Sequence, residues 1–497
     1  MAIINLTATD GTPISYDDQR PAGSGGVKDV FFSPDPSYVV AVVRKRPEKS
    51  GIERLETIVN KYYKSIIEGE YGDYWKKVFN WPTKLVDDNG VLALVTPTWE
   101  KDFFFTTGSV NKDMLGIKGK EKNGKWFASA NHQQKHLDPS ERGEWNSYFA
   151  CCIKIARAVR RMHAAGLAHS DLSCNNVLID PIGRNACVID IDGLVVPQKF
   201  PPDVSGTPDF IAPEVLATLN LKIGDPNKKL PRKETDLHAL PVLIYMYLLY
   251  RHPLRGQKNH SDDPQEDESL MMGSKALFVE HPADSSNRIN TSHLKPSFLP
   301  YADTKKLPYS ILGPYLKELF DKVFIEGLHE PRKRPGANQW ETALVKTVDL
   351  LQPCENKSCA HKWFVFDNST KPVCPFCSTH YPHPLPVLTF YDPRGSSGKY
   401  MPANHRLMVY NQQYLYHWHI DRLIIPNEKL TDQQRKPVGY FMLHKGKWVL
   451  VNQTLTSLQD PDTKEKIPVN GYIELTNNRK ILFEQNGRLA LVQISNV

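Results

Sequence analysis

Gly166-Leu-Ala-His-Ser-Asp-Leu-Ser-Cys-Asn-Asn-Val-Leu-Ile-Asp180, followed closely by Val188-Ile-Asp-Ile-Asp-Gly-Leu194, is the stretch on which the reading of this chain turns. His169 stands two residues before Asp171, and Asn176 lies five residues after that aspartate. The spacing suits phosphoryl transfer, a reaction that asks for positioning and charge neutralisation and for little covalent help. Asp171 is expected to accept or orient the proton of an attacking hydroxyl, and Asn176 to turn back towards a magnesium ion. Asp190 follows the apolar pair Val188-Ile189, 14 residues after Asn176. It is the first choice for the carboxylate that bridges the metal to nucleotide phosphates. Asp192 shares its face if the strand continues, because side chains alternate, and is expected to help hold a second ion. The plainer alternative is a pair of aspartates ending a surface strand.

Three downstream segments favour the first reading. Gly206-Thr-Pro-Asp-Phe-Ile-Ala-Pro-Glu214 resembles the end of a protein-kinase activation segment. Glu234-Thr-Asp236-Leu-His-Ala-Leu-Pro-Val-Leu-Ile-Tyr resembles the buried helix of a kinase large lobe, with Asp236 anchoring the catalytic-loop backbone. Pro331-Arg-Lys-Arg334-Pro335 resembles the segment whose arginine pairs with Glu214. Four such motifs in order are far more specific than one. The Ala-Pro-Glu segment favours a protein over a small-molecule substrate.

With 497 residues the chain has room for roughly two to four domains. Its net charge of +7 is spread along the chain, and no Lys/Arg run is dense enough to indicate a nucleic-acid partner. The opening residues, Met1 to Asp10, lack a basic stretch followed by a long apolar core. The longest apolar run, Leu240 to Tyr250, is 11 residues, too short to span a bilayer. The expectation is a cytoplasmic protein without a membrane partner.

Residues 1–98 are expected to form a small lobe with its hinge, and 99–352 a large lobe with insertions. Pro21-Ala-Gly23-Ser-Gly25-Gly26-Val-Lys-Asp-Val30 resembles a glycine-rich phosphate loop, in which backbone amides approach phosphate oxygens. Lys28 occupies the place where a third glycine is usual; a plain hairpin turn is the competing reading. The strand Ser37-Tyr-Val-Val-Ala-Val-Val-Arg-Lys45 ends in base. If Val43 takes the position of the usual alanine, Lys45 is the lysine that holds the α- and β-phosphates, which is the preferred register. If Ala41 takes it, Val43 falls where the lysine belongs. Arg44 is the next candidate. Glu53, or Glu56 one turn later, is expected to pair with the lysine. Gly90 to Pro97 reads as the last small-lobe strand, with adenine against the backbone of Val95, Thr96 and Thr98. Residues 99–146 suggest an inserted hairpin, and 255–306 a largely exposed insertion.

Of eight cysteines, Cys151, Cys152, Cys174 and Cys187 read as ordinary core thiols. The other four, Cys354-x4-Cys359-x14-Cys374-Pro-Phe-Cys377, have the spacing of a tetrahedral zinc site. Disulfides compete poorly in a cytosolic setting, and a four-thiolate site is structural. His361 and His380 are near enough to substitute but are not expected to. Residues 353–382 are therefore read as a zinc ribbon. From Pro384 onward short β-rich runs alternate with turns, the pattern of an all-β sandwich over 383–497.

The chain resembles bacterial eukaryotic-like serine/threonine kinases. More narrowly it is similar to those associated with tellurite-resistance (TerY-like) von Willebrand A proteins. The narrower likeness rests on Asn80-Trp-Pro, Ser170-Asp-Leu-Ser, Asp190-Ile-Asp, Phe278-Val-Glu-His-Pro, Ser286-Asn-Arg288, the cysteine knuckles, Gly439-Tyr-Phe and Gly446-Lys-Trp-Val-Leu-Val-Asn452. It implies an α+β protein: a bilobal kinase fold, then a zinc ribbon, then a degenerate forkhead-associated-like sandwich. It implies ATP with Mg2+ or Mn2+, a protein substrate, and partnership with a von Willebrand A protein and a metal-dependent (PP2C-type) phosphatase. Two departures stand out. Ser170 replaces an arginine that senses activation-segment phosphate, and Ser173 replaces a lysine that neutralises the moving phosphoryl group. Three functions follow: an active protein kinase, a pseudokinase scaffold, and a small-molecule kinase.

Overall fold

The computed structural model describes residues 3–24, 27–196, 206–222, 224–395 and 398–495. The chain divides into two compact units, and each is described by itself. The division falls within three helices, Trp145–Ala164, Gly313–Asp321 and Ala337–Val348.

In the first unit, β1 (Ile3–Thr7) and β2 (Pro13–Asp17) make an antiparallel hairpin. It is followed by β3 (Pro21–Ser24), β4 (Lys28–Phe32), β5 (Tyr38–Val43), β6 (Lys84–Asp88) and β7 (Val91–Pro97), a five-stranded sheet in the order β3-β4-β5-β7-β6. Strand alternation gives this sheet two apolar faces. Val40, Val86, Ala93 and Val95 pack under Leu6, Ile14 and Tyr16 of the hairpin. Ala41, Leu85, Leu92 and Leu94 pack with Leu55 and Val59 of the helical run 49–66. The hairpin was not legible beforehand, because residues 1–20 carry no kinase-like motif.

The helical part is centred on the helix Lys233–Leu249. Most of its side chains are buried, including Leu240, Val242, Leu243 and Ile244, the signature of a helix that is apolar all round. Two expectations are corrected here. Residues 99–146 form short helices and turns with no β-strand among the described residues; isolated antiparallel bridges join Phe104 to Glu121 and Ser109 to Leu137, so the expected hairpin is reduced to a short backbone pairing of 103–105 with 119–122. The reason is local: the Asp113 carboxylate accepts from the N–H groups of Ser109, Ile117 and Lys118, and Glu141 accepts from those of Thr107 and Gly108. Between the two paired segments, side chains thus satisfy donors that a longer strand ladder would have used. Residues 255–306 are also not simply exposed. Phe278 is fully buried and packs against Tyr245 and Phe324, with ring centroids 5.9 and 5.2 Å away. Beside it, Glu280 accepts from Arg251 at 2.6 Å and from the Tyr245 hydroxyl.

Two further strands, β8 (Val177–Asp180) and β9 (Asn185–Val188), form a hairpin in the first unit. In the second unit, β10 (Leu351–Pro353) pairs with β11 (Trp363–Val365). Then β12 (Pro386–Pro393), β13 (Tyr400–Met408), β14 (Tyr414–Tyr416), β15 (Pro437–His444), β16 (Lys447–Asn452), β17 (Tyr472–Glu474), β18 (Lys480–Leu482) and β19 (Leu489–Ile494) follow. They build two antiparallel sheets, β13-β12-β19-β18 and β14-β15-β16-β17. Val387, Phe390 and Val492 of one sheet share a core with Val438, Phe441 and Leu450 of the other, as a sandwich requires. Among the described residues no helix is long and apolar enough to cross a membrane.

Candidate catalytic site and cysteine cluster

The β8–β9 hairpin explains the spacing that opened the sequence reading. Val177 faces Val188 across it, so Asn176, just before one strand, meets Ile189 and Asp190, just after the other. The Ile189 N–H donates to the Asn176 carbonyl at 3.0 Å. Two residues 14 positions apart are thereby neighbours. The loop before β8 is held from below by Asp236, whose carboxylate accepts from the N–H groups of His169 (2.8 Å) and Ser170 (3.0 Å) and contacts His163 Nε2 at 2.9 Å. This is the anchoring expected of Asp236. His169 Nε2 donates to the Ile189 carbonyl at 3.0 Å, tying the loop to the segment that carries Asp190.

Asp171 faces into this arrangement. Its Oδ2 accepts from Asn176 Nδ2 at 2.9 Å, and its Oδ1 accepts from the Thr207 N–H at 2.6 Å and the Thr207 hydroxyl at 2.8 Å. The Thr207 hydroxyl is also 3.2 Å from that of Ser173. The expected Glu214–Arg334 pair is bidentate, at 2.8 and 2.7 Å, and the arginine side chain is wholly buried. Asp190 holds a left-handed backbone (φ 60°), uncommon for a non-glycine residue.

Asp171, Asn176 and Asp190 are thus brought together; other predicted residues are placed elsewhere. Lys45 lies beyond the end of β5, exposed, and among the described residues no ion pair joins it to Glu53 or Glu56, which are exposed too. Arg44 is engaged with Asp29 at 2.7 Å. Gly23 sits on the exposed strand β3, while Gly25 and Gly26 lie outside the described residues. Val95 is a buried residue of β7, and its carbonyl accepts from the Thr83 N–H at 2.8 Å. Thr96 pairs with Val39 in the same sheet, and Thr98 donates to the Ser37 carbonyl from its N–H at 3.3 Å.

The cation that does reach the carboxylates is Lys28. Its ammonium lies 2.8 Å from Asp190 Oδ1 and 2.6 Å from Asp192 Oδ1. Burial alone would raise the Asp190 pKa; the adjacent Lys28 charge outweighs it and holds that carboxyl below its ordinary value. Asp192 therefore sits within reach of the site, as its alternation with Asp190 suggested, but on a lysine. Lys28 and Thr207 are the residues that sequence reasoning missed. The only prior signal was that Lys28 stood where a glycine was expected.

In the second unit, one sulfur from each of Cys354, Cys359, Cys374 and Cys377 lies within 4.8 Å of the other three. Cys354 and Cys377 are 3.5 Å apart, and Cys359 and Cys374 are 3.9 Å apart, far beyond a disulfide bond. A zinc ion with sulfurs at about 2.3 Å sets tetrahedral edges of about 3.8 Å, so the four sulfurs are compatible with that ion. His361 stacks on Phe376, with centroids 4.0 Å apart, and is not among the clustered ligands.

Comparison with known proteins now fits this geometry. Residues 127–341 match the protein kinase domain. The chain is similar to the serine/threonine-protein kinase PknD of Chlamydia felis, 25% identical over 335 residues that cover 62% of this chain and 30% of the relative. Its counterpart in Chlamydia abortus is 24% identical, over 50% of this chain and 26% of the relative. Human serine/threonine-protein kinase H1 is 33% identical over 129 residues, covering 22% of this chain and 28% of that protein. The aligned parts thus span under a third of each relative's length. The matched domain contains the catalytic loop, Asp190, the Ala-Pro-Glu segment, Asp236 and Arg334.

Proposed function

We propose that the chain is a serine/threonine protein kinase that moves the γ-phosphoryl group of Mg–ATP to a hydroxyl of a protein substrate. The observation that carries this reading is the Asp171 carboxylate. It lies beside Asn176 and within hydrogen-bond distance of a threonine hydroxyl, inside the segment that matches the protein kinase domain. A general base must reach its proton at about 2.6–3.2 Å, and the Thr207 hydroxyl at 2.8 Å supports that capacity. In the proposed reaction the bond between the γ-phosphorus and the β–γ bridging oxygen breaks. A bond to the substrate oxygen forms, and the hydroxyl proton passes to Asp171. Asn176 and Asp190 would hold Mg2+ or Mn2+, which when bound neutralises charge on the phosphates.

The cysteine cluster is assigned to structural zinc, residues 353–382 to a ribbon, and 383–497 to a forkhead-associated-like sandwich. A von Willebrand A protein and a PP2C-type phosphatase are the proposed partners. A second reading, a scaffold that binds nucleotide without efficient transfer, is favoured by the exposed positions of Lys45 and Glu53, which no ion pair joins among the described residues. Incubating the purified chain with γ-labelled ATP and Mg2+ or Mn2+, with and without a von Willebrand A protein, separates the two. Label on protein hydroxyls supports the kinase. Nucleotide binding with no label under every condition supports the scaffold.

A further inference from the structure

A phosphate-binding lysine is needed near the metal aspartate, and neither basic residue at the end of β5 is there. The sheet register shows what is. Lys28 of β4 lies directly opposite Val43 of β5. Directly opposed residues of an antiparallel pair share one face, with Cβ atoms about 4.5–5.5 Å apart. That face also carries Ala41, which packs with Leu55 and Val59 of the helical run 49–66. In the register where Ala41 takes the alanine position, Val43 occupies the place of the missing lysine. A lysine on the neighbouring strand can bring its ammonium to nearly the same point.

We infer that Lys28 is the residue that binds the nucleotide's phosphates, having moved from β5 to the strand that follows the glycine-rich stretch of the sequence, and that Asp192 is the carboxylate that orients it. The inference rests on the kinase reading. Both Asp192 oxygens are within 2.7 Å of the Lys28 ammonium, and Asp190 Oδ1 is at 2.8 Å. Asp192 thus does for Lys28 what Glu53 does not do for Lys45. Asp190 is left to ligate metal, and on nucleotide binding Lys28 exchanges it for phosphate oxygens while staying on Asp192. The competing basic residues are committed outward, Arg44 to Asp29 and Arg46 to Asp87.

The decisive test uses the wild-type full chain. It is labelled with an adenosine derivative bearing a sulfonyl fluoride where the phosphates would sit, with and without excess Mg–ATP, and the modified peptide is mapped. Modification of Lys28 that Mg–ATP prevents is the expected result. Modification of Lys45 or Arg44 instead overturns the assignment and leaves the kinase reading intact. A chain that binds no Mg–ATP at all brings down both. Steady-state kinetics add an independent arm. Lys28→Met is expected to lower kcat/KM for ATP by about a hundredfold or more, the scale of losing one group that stabilises transition-state charge. The swap Lys28→Val with Val43→Lys is expected to recover at least a tenth of wild-type kcat/KM. A swap variant that melts like the wild type yet is no faster than Lys28→Met overturns the cross-strand argument, as does a Lys45→Met variant that alone loses ATP affinity.

Discussion

The cysteine cluster and the candidate catalytic cleft both crowd groups that can hold a cation, and they gather the partners from very different distances along the chain. All four sulfurs come from residues 354–377, on two short knuckles. In the cleft, Asp190 and Asp192 sit on one turn, but the cation that faces them comes from Lys28, 162 and 164 residues earlier. Ligands that share a short segment are set by spacing alone, because a knuckle has few ways to close. A partner on another element is set by strand register, which depends on how a whole sheet packs.

Zinc removal is the strongest test of this contrast. Residues 354–377 are too few to bury a useful core, and thiolate ligation supplies roughly 10–16 kcal/mol in zinc-finger peptides near neutral pH. Metal analysis is expected to find about one zinc per chain. Chelation or Cys374→Ser should raise protease cleavage within residues 350–385 while Mg–ATP affinity survives. Loss of ATP binding on chelation would break the contrast, because the cluster would then support the cleft.

Next in size is Asp171→Asn, expected to keep nucleotide affinity and lose transfer by about 10²–10⁴-fold, the usual contribution of a positioned acid or base. Single-turnover transfer of labelled phosphate checks it, and an unchanged rate removes Asp171 from the mechanism.

Arg334→Met tests a long-range pair with no catalytic role. It leaves the Glu214 carboxylate, 16% exposed, facing lost charge, and removes donors to the Gly327, Leu328 and Glu234 carbonyls. Breaking a buried pair on one side costs about 3–5 kcal/mol. The double variant with Glu214→Gln is expected to be less destabilised than Arg334→Met alone. Urea unfolding of the full chain gives both numbers, and strict additivity would show that the two residues are not coupled.

The smallest effect is with pH. His252 is buried, its Nε2 donating to the Asp209 carbonyl at 3.0 Å and its Nδ1 accepting from the Leu254 N–H at 3.1 Å. Burial pushes its pKa down to about 4 from an ordinary 6.5. Between those values the unfolded chain takes up a proton that the folded one refuses, so stability falls as pH drops from 6.5 to 4, by at most about 1.4 kcal/mol per pH unit from this group. Below pH 4 its contribution is constant. His252→Gln is expected to flatten thermal stability over that window, and an unaltered slope would assign the acid sensitivity elsewhere. His405, also pushed down by burial, sits on Asp349 in the second unit and contributes in the same direction.

Much of this molecule was legible in its residues. The step from Asn176 to Asp190 is the length of one β-hairpin, the Cys-x4-Cys and Cys-x2-Cys gaps are knuckles, and the runs after Pro384 alternate as sandwich strands do. In the first two cases the information lies within about twenty-five consecutive residues, and in the third within each short strand, where backbone geometry leaves few alternatives. The tertiary structure alone decided the rest. Phe278, in the short apolar run Ala276-Leu-Phe-Val279 of an otherwise polar segment, belongs to the core because it covers the Tyr245–Phe324 surface. Residues 107–118 turn instead of extending the pairing of 103–105 with 119–122, because Asp113 and Glu141 take the backbone donors. Lys28 and not Lys45 meets the aspartates, because β5 ends at Val43 and its neighbour carries the lysine on the same face. Side-chain competition for donors and register between distant strands leave no periodic trace in a single sequence.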